Sequence, residues 1–178
     1  MNESTRYYWL SYVAARCTLK ENVVTLKIKG SDLSHVKKLG IASFNDRHAS
    51  LNSIEFIEEL KRVFIWRNNK LYHIQGWSVP NFCLRDIVRG YFDSGRGYII
   101  TPDVGKSGIV CFYMPSCVVE WIPHIIQRHI ELCGSRRRGQ IRYNGTKQCN
   151  VLLQWMYGDS TTYLRSNFMK YLVMNKWR

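Results

Sequence analysis

Acidic residues are scarce in this sequence. Its 178 residues include 13 Asp and Glu against 26 Lys and Arg, a formal net charge of +13. The imbalance is greatest from Leu132 onwards, where Asp159 is the one acid beside nine bases. An excess of this size repels itself, so the charge predicts a polyanionic partner. The alternative is a basic surface that only keeps the protein soluble, but solubility needs a net charge of only about 2–8.

The sequence also lacks the features of membrane, secreted and zinc proteins. No apolar run approaches the roughly 18–20 residues of a membrane span, and the polar N-terminus lacks the apolar segment of a signal peptide. No C-x-x-C pair or paired Cys/His spacing indicates zinc. We therefore expect a cytoplasmic protein (nuclear or organellar in a eukaryote) with no cofactor. Its six cysteines are predicted to be reduced core thiols: Cys17, Cys83, Cys111, Cys117, Cys133 and Cys149.

What the chain does have is a repeated order of predicted elements. Its hydrophobic content of 46% supports one compact domain, or two small repeats that share a core. Helix, hairpin, helix, hairpin, helix is predicted twice, in residues 1–78 and 79–178, with a last helix added. The first half has a helix over Thr5–Ala15, a hairpin over Thr18–Lys29, a helix from Ser31-Asp32 to Leu39, a hairpin over Ile41–Leu51, a helix from Asn52-Ser53 to Phe64 and a connector over Trp66–Pro80. The second has a helix over Asn81–Ser94, a hairpin over Tyr98–Tyr113, a helix from Ser116 to His129, a strand over Gly139–Asn144, and helices from Thr146 and over Thr161–Asn175.

Three segments carry a family resemblance. They are LRDIVRGYFDSGRGYI at Leu84–Ile99, WLSYVAARC at Trp9–Cys17 and VLLQWMYGDSTTYLRSNFMKYL at Val151–Leu172. Together with the element order, they make the whole chain resemble the LAGLIDADG homing endonucleases. The resemblance implies an α+β fold of two αββαββα pseudo-repeats, whose antiparallel sheets form a DNA-binding saddle. It also favours a monomer on an asymmetric site, with a dimer left open.

Small residues stand where the resemblance implies that the two opening helices touch. The third and seventh positions of the two motifs are Ser11 and Ala15, and Gly90 and Ser94. Residues four apart share a helix face, so these four are predicted to line the inter-helix contact. A glycine inside a helix costs about 1 kcal/mol relative to alanine, so Gly90 needs a packing reason. The alternative is that Gly90 belongs to a loop.

The acids that hold the catalytic metals of the family are missing. Their motif position is occupied by Arg16 in the first helix, and by Gly95 or, with one insertion, Arg96 in the second. Mg²⁺ needs oxygen ligands, so the resemblance implies neither metal binding nor cleavage. Asp93 is the one acid nearby, and we expect it to cap or hydrogen-bond locally.

Other catalytic patterns are weak. Gly105-Lys106-Ser107 lacks the first glycine of a phosphate loop and is interpreted as a hairpin turn. His124 and His129 are spaced wrongly for one metal, and Cys117 has no third group to make a triad with His124.

The resemblance implies that outward strand residues contact nucleic acid. The candidates are Lys20, Lys27, Lys29, Arg47, His48, Arg96, Lys106, Arg136, Arg137, Arg138, Arg142 and Lys147. The stretch SRRRGQIRYNGTK at residues 135–147 is the densest basic patch, and its alternative interpretation is a solvated loop. The first functional hypothesis is a catalytically inactive double-stranded DNA binder, a transcriptional or mobile-element regulator. The second is an RNA-binding, maturase-like protein in which Tyr98, Tyr113 and Tyr143 stack on unpaired bases. An active site-specific endonuclease is a third, weaker hypothesis.

Overall fold

The fold is α+β, with seven α-helices and three antiparallel sheets in the part of the chain that the structure describes. This computed structural model describes residues 1–28, 30–40, 42–45, 48–75, 78–104, 106–114 and 120–177, without the side chains of residues 31 and 45. The first half contains α1 (Glu3–Ala14), β1 (Cys17–Lys20), β2 (Val23–Lys27), α2 (Leu33–Lys37), β3 (Ala42–Asn45), β4 (His48–Leu51), α3 (Ile54–Val63), β5 (Phe64–Arg67) and β6 (Lys70–Ile74). The second contains α4 (Leu84–Tyr91), β7 (Gly97–Ile100), β8 (Ile109–Tyr113), α5 (Trp121–Ile130), β9 (Ser135–Arg137), β10 (Gln140–Asn144), α6 (Thr146–Tyr157) and α7 (Arg165–Asn175).

Two four-stranded sheets have the same strand order. The first runs β1-β2-β4-β3 and the second β7-β8-β10-β9, so in each the fourth strand lies between the second and the third. Alternate residues along the strands are buried, as in the pattern of exposed Val23, buried Val24 and buried Leu26 in β2. Because side chains alternate across a sheet, each sheet has one face on the core and one outer face.

The opening helices α1 and α4 pack directly against each other. A Cβ atom built on Gly90 would lie 2.2 Å from the backbone oxygen of Tyr8 and 3.1 Å from the nitrogen of Tyr12. Only a residue without a Cβ allows two backbones to come this close. Helix α1 is buried on all sides from Tyr7 to Ala14, because α4 and the rest of the core surround it. Helix α4 ends in a π turn in which Gly95 has φ 88°.

The predicted connector at Trp66–Pro80 is wrong, because β5 and β6 form a hairpin there. The turn between them is Asn68-Asn69, with φ angles of 48° and 61°. Asparagine tolerates this left-handed region and favours tight hairpins, so the Asn-Asn pair was a usable signal. A third, two-stranded sheet therefore follows α3.

Smaller corrections concern element ends and caps. The SRRR segment is the edge strand β9 rather than a loop, and it turns at Arg138-Gly139. The last helix begins at Arg165 instead of Thr161. Asp32 makes no side-chain capping bond to α2. Pro123 lies in the first turn of α5, where no helical N–H bond is lost.

The cysteine prediction is only partly right. Four thiols are buried, but Cys133 is exposed, which contradicts the expectation of a core position. Cys133 follows the end of α5 in a segment without regular structure, where the apolar run had suggested burial. Three positions lie outside the described residues: Cys117, Ser116 at the start of a predicted helix, and Asp46 within the predicted hairpin over Ile41–Leu51.

Candidate nucleic-acid interface

The outer face of the first sheet carries a row of small hydroxyl side chains. The pairing registers place Thr18 beside Thr25, Thr25 beside Ser50, and Ser50 beside Ser43. Period two puts this row opposite the buried face of Leu19, Val24 and Leu26. Pattern reading had not selected these hydroxyls, although their alternation with buried apolar residues was visible in the sequence.

Basic side chains flank the hydroxyl row. Lys20 and Lys27 end their strands exposed, and His48 is exposed opposite Lys27. A surface groove of about 570 Å³ runs along this face and is lined by Arg16 as well, and also by the acid Glu21 and by Val23. The groove therefore combines several basic side chains and short hydroxyls with one acid, and its basic and hydroxyl groups suit phosphate oxygens.

The outer face of the second sheet carries larger groups. Its central row is Tyr98, Cys111, Arg142 and Ser135, and the neighbouring row is Tyr113, Gln140 and Arg137. Tyr98 packs on Tyr113 with ring centroids 5.4 Å apart. The Nη2 of Arg142 donates to the hydroxyl oxygen of Tyr98 at 3.2 Å, and this bond raises the pKa of Arg142. The guanidinium is thereby held on the sheet surface and stays charged.

The eight strands of these two sheets, within their described bounds, contain five Lys and Arg and no Asp or Glu. Two described acids lie in strand connections, Glu21 between β1 and β2 and Asp103 between β7 and β8. The other described acids lie on or next to the helices, where several are paired: Glu55 and Glu59 with Arg6, Asp86 with Arg89, and Asp159 with Arg85. The described strands therefore carry a net positive charge because they lack acids, although they contain only five of the chain's 26 Lys and Arg. Such a separation attracts a polyanion to the sheet side.

The predicted contact residues do not all share one surface. Lys20, Lys27, His48, Arg137 and Arg142 lie on the outer faces. Arg136 pairs with buried Ile141 and so lies on the opposite face, because SRRR is a strand and not a loop. The remaining positions divide as follows: Arg138 in the β9–β10 turn, Lys106 in the β7–β8 connection, Lys147 in the first turn of α6, and Lys29 and Arg47 outside the described residues.

Two arginines lie where the opening helices end. The Nη1 of Arg16 contacts the Oδ2 of Asp32 at 2.6 Å and donates to the hydroxyl of Tyr12 at 2.7 Å, and its Nη2 donates to the backbone oxygen of Lys27 at 3.0 Å. The Nε of Arg96 donates to the backbone oxygen of Ala15 at 3.2 Å. This carbonyl lies at the C-terminal end of α1, where the helix dipole is negative and favours a cation. Arg16 and Arg96 thus each place a guanidinium at the end of an opening helix, where it donates to neighbouring oxygen atoms.

The four small residues that were predicted to line the contact between the opening helices all lie in the core or beside it. Ser11 and Ser94 are buried, Ala15 is nearly so, and Gly90 faces the backbone of α1. The hydroxyl of Ser94 donates to the backbone oxygen of Tyr91 at 2.6 Å. Ser94 therefore stabilises the end of α4.

Asp93 is buried at the centre of a hydrogen-bond network that extends well beyond its own turn. Local capping had been expected, but its partners come from three other elements. The carboxylate accepts from Tyr8 Oη at 3.0 Å, Tyr157 Oη at 2.5 Å, Leu164 N at 2.8 Å and Asn167 Nδ2 at 2.8 Å. Burial raises the pKa of Asp93, while these donors oppose the rise. The side chain joins α1, α4, α6 and α7 and does not face solvent.

The network continues from Tyr8 to His35. The single hydroxyl hydrogen of Tyr8 goes to Asp93, so the oxygen of Tyr8 accepts from the Nε2–H of His35, 2.8 Å away. Burial lowers the pKa of His35 to about 4, and Lys38 adds to the effect. The imidazole is therefore neutral near pH 7, with its proton on Nε2.

The remaining catalytic candidates are not assembled into a site. His124 is exposed, and His129 stacks on Trp155 with centroids 6.0 Å apart. Lys106 pairs through its backbone with Asp103 in a turn, as expected of a hairpin connection. Within the described ranges, no three His, Cys, Asp or Glu side chains are grouped so that they could hold a metal ion.

No protein-family model matches this chain, and the search of curated proteins finds no match. Across the described residues, no helix has the length and apolar character needed to cross a membrane.

Proposed function

We propose that this chain binds duplex DNA across the outer faces of its two four-stranded sheets and does not cut it. The observation that carries the proposal is the charge pattern of those sheets. Their eight described strands contain basic residues and no acidic ones, whereas paired acids lie among the helices. A two-stranded ribbon fits the major groove, where alternate side chains point at the DNA.

The finer fold that we propose is the LAGLIDADG arrangement of two pseudo-repeats. Its support is the shared strand order of the two sheets, together with the close backbone contact between α1 and α4 at Gly90. In that arrangement the two outer faces together make one saddle about two helical turns of DNA long. One chain then occupies an asymmetric site as a monomer.

The proposed absence of cleavage rests on the two arginines at the ends of the opening helices. Arg16 and Arg96 occupy the region in which the family holds its metal ions, and both are engaged with neighbouring acceptors. A cation there repels Mg²⁺ and instead suits a phosphate of the bound DNA. Asp93 cannot replace the missing acids, because four donors surround its buried carboxylate. The protein would then act as a regulator or another non-cutting binder.

RNA binding is the second candidate, and the aromatic pair of Tyr98 and Tyr113 favours it. Exposed aromatic side chains on a sheet can stack on unpaired bases. Tyr143, the third tyrosine expected to stack, is fully buried and is unsuited to this role. Two tyrosines in contact with each other also leave less ring surface for bases, so we rank duplex DNA first.

The test is competition between a selected duplex DNA and a structured RNA, measured at several salt concentrations. If the four Lys and Arg of the outer faces contact phosphates, log Kobs should fall with log salt with a slope of about −3 to −4. Arg137→Ala should reduce the magnitude of that slope by about 1. Arg128→Ala on α5 is the matched control, since this arginine is also exposed but lies on a helix.

Several results would contradict the proposal. An affinity that does not change with salt would exclude the phosphate contacts. Equal changes in the salt slope for Arg137→Ala and Arg128→Ala would exclude the sheet surface as the binding site. Preference for RNA over every duplex would favour the second candidate. Cleavage of duplex DNA that co-elutes with the protein and stops on chelation of Mg²⁺ would refute the non-cutting part.

A further inference from the structure

Each outer-face position in the first sheet has a counterpart in the second, because the two sheets share one strand order. The pairing registers define the match without any sequence similarity. In the central row, Thr18 corresponds to Tyr98, Thr25 to Cys111, Ser50 to Arg142 and Ser43 to Ser135. Three of these four pairs differ in kind, but the Cys111 thiol is fully buried. The accessible difference between the two faces therefore lies at Thr18 against Tyr98 and at Ser50 against Arg142.

The first row consists of short hydroxyls and the second contains a tyrosine and an arginine. A serine or threonine hydroxyl pairs with any base or with a phosphate, and so discriminates little. An arginine presents two parallel donors that match O6 and N7 of guanine. The next row shows the same contrast, since Lys27 and His48 correspond to Tyr113 and Gln140. Gln is a residue that recognises adenine, whereas Lys mainly holds phosphates.

Arg142 is also held in place before any ligand binds. Its bond to the hydroxyl of Tyr98 uses one of five guanidinium N–H donors, so others remain for a base. Tyr98 is itself supported by its contact with Tyr113. A guanidinium that is fixed in this way loses less conformational entropy on binding than a free one.

We infer that the two sheets divide the recognition of DNA, an inference that rests on the proposed duplex binding. The second sheet contacts phosphates through Arg137 and also reads the bases, with Arg142 specifying a guanine and Tyr98 positioning it. The first sheet holds only the phosphate backbone. The target site is therefore asymmetric. Most of its sequence information lies in the half that the second sheet covers.

The experiment is selection from a random duplex library of about two helical turns, by the wild-type chain and four variants. Arg142→Ala should erase one guanine preference, reducing a roughly ten- to hundredfold discrimination to near none. Arg142→Lys keeps the charge but not the fork, so it should retain overall affinity and lose most of that discrimination. Tyr98→Phe should weaken discrimination at the same guanine and nowhere else. Ser50→Ala, at the position that corresponds to Arg142, is the matched comparison: loss of a phosphate contact should lower overall affinity but change no base preference.

The outcomes separate this inference from the proposal beneath it. Failure of the wild-type chain to enrich any duplex would overturn duplex binding itself. Enrichment of a site with equal information in both halves would overturn only the division between the sheets. So would an Arg142→Ala profile identical to the wild-type one, or a Ser50→Ala profile changed as much as the Arg142→Ala profile. A loss of base preference at one position with unchanged melting temperature is not an effect that misfolding produces.

Discussion

Replacement of Gly90 by alanine should destabilise the protein, although alanine is the better helix former. In an open helix this change would stabilise by about 1 kcal/mol. At Gly90 the new Cβ would lie 2.2 Å from the backbone oxygen of Tyr8, more than 1 Å inside ordinary van der Waals contact, which begins at 3.4 Å. The nearest atoms all belong to backbone, so no side chain can rotate away, and α1 and α4 must separate. Overpacking of a core costs about 1–3 kcal/mol and occasionally more.

We therefore expect Gly90→Ala to lower the free energy of unfolding by about 2–4 kcal/mol. This is a large part of the 5–15 kcal/mol that is typical of a domain. Urea denaturation followed by circular dichroism measures it. Gly30→Ala is the control, because no described atom beyond its chain neighbours lies within 4 Å of the added Cβ, and it should change stability by less than about 1 kcal/mol. A Gly90→Ala protein at least as stable as the wild type would refute the close crossing of α1 and α4.

Two further predictions concern the buried network. Asp93→Asn should lower the free energy of unfolding by about 3–5 kcal/mol, because an amide offers one acceptor oxygen and two hydrogens to four donors; a loss under 1 kcal/mol in urea denaturation would contradict the network. His35 has a folded pKa of about 4 against an ordinary 6.5. The contribution of His35 to the free energy of unfolding is thus fully present above pH 6.5. Up to about 3 kcal/mol of that free energy is lost as the pH falls toward 4, because the unfolded chain binds the proton more tightly. His35→Gln keeps a donor near Tyr8 without a titratable ring, so its stability should fall less than that of the wild type between pH 7 and 4.5, and parallel curves would exclude a contribution from His35.

Local sequence patterns predicted most elements because their causes are local. The alternation of Val24, Leu26 and their polar neighbours predicts β2, and Ser53 accepts the capping bond from Phe56 N that begins α3. The missed hairpin of β5 and β6 contains the same kind of signal in Asn68-Asn69. The prediction missed this hairpin because both strands are of mixed polarity. Their residues are only partly buried, so neither strand shows a regular alternation.

Composition could predict a polyanionic partner, since a net charge of +13 is independent of the fold. The placement of that charge could not be predicted from composition. Arg136 and Arg137 are adjacent and chemically identical, but the register of β9 puts them on opposite faces of a sheet. Successive side chains of a strand point to opposite faces. If this stretch is interpreted as a loop, that alternation is absent and the two arginines are expected to be equally available to a ligand.

The long-range partners were decided by tertiary structure alone. The sequence determined that Asp93 is the acid closest to Gly95 and Arg96 and that Arg16 follows the first helix. It could not indicate that Asp93 meets Tyr8, 85 residues away, or that Arg16 is held by Asp32. Hydrogen bonds and ion pairs of this kind depend on atoms coming within about 3 Å, and that proximity arises only when α1, α4, α6 and α7 pack around one core.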